Sequence, residues 1–339
     1  MTGLRRRPGL VGPLAMMVLA GGLAGCGGGL SLSPGTQPAP RTSSAAPPVT
    51  SPAPSSSSAA SPAPASGSPS ALPSASPSGL RPGSGGHKLG GNPFTDPALR
   101  SYLAGRTGKI TAAVYDARAR RIWVLHPELH EYTASIVKVQ IMGAALNQAQ
   151  AKGQPLPPSQ AALMGPMIEA SDNDAATTLL ADVGGPSALA RFDKTAGMTD
   201  TEPSTLALIP GTDLPGWGLT TTTARDQVVL VARFAYPGTV LDDTSRAYGL
   251  SLMEHVEADQ DWGVSGGVPA GTTIALKNGW LPVGTSGWQV DSIGWVRGHG
   301  RDYVLAVLAS GNPTEEYGIG TIETIARSVY QSRSGASGG

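Results

Sequence analysis

The sequence predicts an α/β fold in one domain, on three observations. Alternating apolar residues mark strands at 109–115 and 122–125, and again at 272–277, 288–296 and 303–308. Helical patterns fill the interval between the two groups. The first quarter of the 339-residue chain is too poor in large apolar side chains to pack, which leaves about 240 residues for a core. Strands at both ends with helices between them imply a sheet whose edges come from distant parts of the chain.

The first pair of strands meets around a turn at Asp116-Ala117-Arg118. A helix then starts with a hydroxyl cap available at Thr133 and ends near Gly153, with Pro155, Pro157 and Pro158 beyond it. A second helical pattern runs over 160–182 and contains Ser171-Asp172-Asn173. A short helix over 187–196 is closed by Gly197. Residues 198–219 are rich in turn formers and read as a long loop, which in a compact domain is functional or mobile. Helices over 222–236 and 241–256 precede the C-terminal strands, and a last helix covers 315–330.

The N-terminus carries Arg5-Arg6-Arg7, an uncharged and largely apolar run over 10–23, then Leu23-Ala24-Gly25-Cys26. That order describes a secretory signal over residues 1–26. Its last four residues resemble the bacterial lipobox, in which the cysteine becomes the new N-terminus and carries lipid. Cys26 is the only cysteine in the chain, and lipidation accounts for it. An uncleaved membrane helix is the alternative, made poor by Pro13, Gly21, Gly22 and Gly25. These features predict an exported protein, lipid-anchored to the outer face of the cell membrane and free of disulfides. Residues 27–92, rich in Ser, Pro, Ala and Gly, predict a disordered linker with a mean reach of roughly 45 Å. Residues 93–332 are the predicted folded domain and 333–339 a flexible tail.

With 24 basic and 24 acidic residues the chain is not a polyanion binder, and nucleic acid is excluded as its main partner. Its five histidines show no metal-ligand spacing, so neither a metal nor another cofactor is expected. The six tryptophans read as core or as walls of a cleft.

Three short motifs carry chemistry: Ser135-Ile136-Val137-Lys138, Ser171-Asp172-Asn173 and Lys277-Asn278-Gly279. Residues three apart on a helix share a face, so the Lys138 amine can sit beside the Ser135 hydroxyl and take its proton. Alone, each motif has a plainer reading. The first is a polar pair at a helix start, the second a turn or cap, the third a hairpin turn.

In this order the three resemble the penicillin-recognising serine enzymes, the class A β-lactamases and penicillin-binding proteins. The resemblance covers residues 93–332 and implies a three-layer α-β-α fold with an antiparallel sheet and an inserted helical lobe. It implies Ser135 as the acylated nucleophile, Lys138 as its base, and Ser171 as the relay to the leaving nitrogen. Asn173, Lys277, Asn278, Gly279 and Trp280 would bind substrate, with the backbone N–H groups of Ser135 and Trp280 as the oxyanion hole. The implied activity is hydrolysis of a β-lactam amide through an acyl-enzyme, by a monomer acting on a β-lactam or a peptidoglycan-like peptide. A D,D-peptidase, a penicillin-binding protein or an esterase is the alternative, as is a binding module without turnover.

Three departures stand out. Asn278 replaces the usual Thr or Ser of the third motif. The interval from Lys138 to Ser171 is short, which predicts a more open cleft. Glu202-Pro203 fits the spacing of the class A deacylation loop, yet Leu206 stands where its Asn should be, so Glu202 is either that base or a loop-surface carboxylate.

Overall fold

A computed structural model describes residues 89–332. The signal with Cys26, the linker as far as residue 88 and the tail 333–339 lie outside the described residues.

The first α-helix of the described residues is α1 (Pro97–Ala104), which sequence patterning had not indicated, although Asp96 caps it and Pro97 starts it. A hairpin of β1 (Lys109–Asp116) and β2 (Arg121–Leu125) follows, then the two-residue β3 (Glu131–Tyr132). The helical lobe comprises α2 (Val137–Ala151), α3 (Pro158–Ile168), α4 (Asn173–Asp182) and α5 (Gly185–Ala196). Gly197 ends α5 at φ +85°, a left-handed cap that costs a glycine little. After the long loop, the two-residue β4 (Thr221–Thr222) pairs with β3. Next come α6 (Ala224–Ala235), α7 (Asp243–Met253), β5 (Thr273–Pro282), β6 (Trp288–Gly298), β7 (Arg301–Asn312) and α8 (Glu315–Gln331).

The main sheet has the order β2-β1-β7-β6-β5 with every pair antiparallel. Its edges therefore come from opposite ends of the domain. β7 is central, and Val304 to Ala309 are wholly buried on both its faces. Such a strand needs apolar cover on each side, and two separate cores supply it. One core joins the sheet to the helical lobe and includes Ala275, Ile293 and Ala306. The other lies under α1 and α8 and includes Leu276, Val290 and Leu305. This is the three-layer α-β-α arrangement with an antiparallel sheet.

Two local expectations are corrected. Residues 160–182 are not one helix but two, because the chain reverses at Ser171 (φ +57°) and Asp172 caps α4 by accepting from Ala175 N at 2.7 Å. Thr133 forms no side-chain cap; a 3-10 turn over Ala134–Ile136 leads into α2 instead. Lys277-Asn278-Gly279 lies on a strand, as its order with the other two motifs implied, and not in the hairpin turn it suggests when taken alone; β5 runs through it and the chain turns after Pro282.

Candidate active site

The site forms where the start of α2, the turn before α4 and the edge strand β5 converge. Ala134, at φ +41°, turns the chain so that Ser135 stands partly exposed just before α2. Non-glycine residues visit this backbone region at a cost of about 1 kcal/mol or more. One turn further, Lys138 points back along the same face and is wholly buried.

Lys138 Nζ is 3.0 Å from Ser135 Oγ, 3.0 Å from Ser171 Oγ, 2.6 Å from the Ser171 carbonyl and 2.8 Å from Asn173 Oδ1. Two of these four partners, the Ser171 carbonyl and Asn173 Oδ1, can only accept. A neutral amine has two N–H donors and one lone pair. The two acceptors match the donors, which leaves the lone pair for a hydroxyl proton. Burial pushes the Lys138 amine down from its ordinary 10.5 to about 7, while the nearby Asp172 carboxylate opposes the fall. Roughly half the amine is then neutral at pH 7, a pKa suited to a general base. The Trp217 ring lies 5.0 Å from Nζ, and its indole N–H donates to Thr177 Oγ1 at 3.0 Å.

The Ser171 turn is shaped by its ends. Pro166 accepts from Asp172 N at 2.9 Å, and the left-handed Ser171 directs both its carbonyl and its hydroxyl toward Lys138. Asn173, the first residue of α4, is exposed apart from that contact.

On β5, Gly279 presses against the nucleophile turn. A β-carbon there would sit 2.8 Å from Ser135 N and 2.9 Å from the Thr133 carbonyl, which no side chain allows. Strand alternation then separates Lys277 from Asn278. Lys277 is paired with Ile293 on the face toward the helical lobe, the face of Gly279. It is wholly buried, and burial first, then the neighbouring Lys138, hold its amine well below the usual lysine range. Asn278 is paired with Ser292 on the opposite face. Its amide donates to the Gln260 and Trp262 carbonyls at 2.7 and 3.1 Å, so it ties a loop to the strand rather than offering itself to the cleft. Trp280 follows on the same edge strand, with its ring 6.0 Å from that of Trp262.

Glu202 is exposed, and its backbone bridges to Thr221 beside the β3–β4 ribbon. Among the described residues, no carboxylate forms a hydrogen bond or ion pair with Ser135 or Lys138. Trp217 and Gln260 are the neighbours that sequence reasoning did not single out. Both sit in single-turn 3-10 segments too short for periodicity, and only long-range contacts bring them to the lysines.

The fold resembles solved class A β-lactamases. The last common ancestor of Gram-negative bacteria class A β-lactamase matches with a TM-score of 0.58 at 21% identity, over 69% of this chain and 97% of that one. The extended-spectrum β-lactamase TLA-1 matches with a TM-score of 0.60 at 19% identity, over 69% of this chain and 95% of that one. No curated protein sequence matches the chain. The model of the beta-lactamase enzyme family matches residues 154–332, more than half of the chain. That region holds Ser171, Asn173 and the third motif; Ser135 and Lys138 precede it. By this match and by its fold the chain belongs to the beta-lactamase enzyme family, a hydrolase on the class A architecture.

Proposed function

We propose that this hydrolase opens β-lactam amides through an acyl-enzyme on Ser135. The observation that carries the reading is the buried Lys138 amine in contact with Ser135 Oγ, Ser171 Oγ and Asn173 Oδ1 at once. Neutral Lys138 takes the Ser135 proton as Oγ attacks the amide carbon. Developing charge on the carbonyl oxygen falls to the backbone N–H groups of Ser135 and Trp280. The proton then passes by way of Ser171 to the leaving nitrogen, which breaks the C–N bond and leaves the acyl group on Oγ. Asn173 steadies Lys138 throughout. Lys277 receives the substrate carboxylate, whose arrival favours the charged form of this amine.

Water must then cleave the ester, and the placement of Glu202 and Trp217 supports slow release. The carboxylate of Glu202 is exposed, and an indole rather than an acid faces Lys138. The same acyl-enzyme with slower release is what a D,D-peptidase or penicillin-binding protein would show, so the two readings differ in the fate of the acyl group. The lipobox-like Leu23-Ala24-Gly25-Cys26 and the basic leader support export and lipid anchoring through Cys26.

A chromogenic cephalosporin mixed with the protein tests the order of steps. The expected trace is a burst of about one product per Ser135 followed by a slower steady rate, with none from Ser135→Ala. A linear trace of equal slope in both proteins would remove Ser135 from the chemistry.

A further inference from the structure

Lys277 is the amine that the proposed chemistry needs for the substrate carboxylate, and the resting fold conceals it. Its amine contacts Gln260 Oε1 at 3.4 Å and its neighbour's carbonyl, that of Asn278, at 3.2 Å, both near the outer limit of a hydrogen bond. Gln260 is held from three sides. Its Nε2 donates to the Ala170 carbonyl at 3.2 Å, next to Ser171, and its own carbonyl accepts from Asn278. The segment that carries it is fastened at both ends. Glu257 N donates to the Glu169 carbonyl at 3.0 Å, and Val264 N donates to Ser292 Oγ at 3.0 Å on the far face of the sheet. Residues 257–264 thus form a strap across the edge of β5, with Gln260 over the amine.

We propose that Gln260 gates Lys277: a substrate carboxylate reaches the amine only by displacing the Gln260 amide, so Gln260 sets the preference for carboxylate-bearing over neutral substrates. This rests on the reading of Ser135 as nucleophile. The gate oxygen is neutral and distant, whereas a carboxylate–ammonium hydrogen bond is about twice as strong as a neutral one. An anion therefore opens the strap and a neutral ligand leaves it shut. Because the displaced Nε2 also holds the Ala170 carbonyl, arrival of the anion is felt at the Ser171 turn.

The test compares acylation of Ser135 by mono-4-nitrophenyl glutarate and by 4-nitrophenyl pentanoate, which share length and leaving group. Gln260→Ala should raise the glutarate-to-pentanoate rate ratio about tenfold. Gln260→Glu, which places a carboxylate on Lys277 at the same length, should lower it by about as much. A ratio that stays within about twofold in both variants, or moves the same way in both, overturns the gate. Reductive methylation read by peptide mass decides the matter without Ser135. Lys277 should be protected in the parent protein, react in Gln260→Ala, and be shielded again by free glutarate. Equal protection in parent and variant overturns the gate. If Lys277 opens as expected while neither ester acylates Ser135, the gate stands and the nucleophile assignment falls.

Discussion

At the residue scale the chemistry turns on one amine. A lysine in water holds its proton at neutral pH and cannot act as a base. Burial lowers Lys138 to about 7 against the opposing Asp172 charge, so desolvation is the larger effect. The acylation rate should therefore rise with pH through about 7 and level above it, measured as the burst rate across a pH series. Lys138→Met should lower that rate on the order of a thousandfold and abolish the limb near 7. A variant that keeps the limb would place the titrating group elsewhere. Helical spacing brought Ser135 and Lys138 to one face, whereas Ser171 was named by the motif resemblance and not by spacing. Its participation depends on a left-handed backbone angle rather than on helical period.

At the element scale the short turn between α3 and α4 links packing to chemistry. Asp172 caps α4 through Ala175 N and also lies close enough to Lys138 to raise its proton affinity. Asp172→Ala should cost about 1 kcal/mol of stability from the lost cap. It should also move the acylation limb to lower pH, because an opposing charge is gone. Thermal unfolding and the pH–rate profile read the two effects separately. Most elements were legible here. Helical patterning over 222–236 located α6, and alternation located all three long C-terminal strands. What sequence reading mistook had a local explanation with a distant override. The strand signal over 272–277 stopped short of Asn278-Gly279, which in isolation suits a turn, yet pairing along all of β5 holds it extended. Residues 160–182 read as one helix because both halves are apolar enough, while the Asp172 cap breaks them apart. Gln260 and Trp217 left no pattern, since neither is periodic with its neighbours.

At the scale of the whole molecule, buried ionisable groups should shape stability. Burial pushes the Asp193 carboxyl up to about 7, with the nearby Asp226 charge adding to it and the Gln140 hydrogen bond opposing. Between about 4 and 7 the folded chain keeps this proton and the unfolded chain does not, so its contribution is full below that window and fades as pH rises. Burial acts in the same direction on Glu131, Asp226 and Asp291. Lys138 acts oppositely. From about 7 up to its ordinary 10.5 the unfolded chain binds the extra proton, so stability recovers as pH rises. Tm should pass through a minimum near neutrality. Asp193→Asn should flatten the acid side and add on the order of 2 kcal/mol at pH 8, read by calorimetry. Intact mass of the folded domain during incubation with a penicillin shows whether this architecture makes Ser135 a nucleophile. One added drug mass is expected, placed on Ser135 by peptide mapping, persisting for minutes and absent from Ser135→Ala. Hydrolysed drug with no adduct in the parent protein, or an adduct that survives in Ser135→Ala, would contradict it.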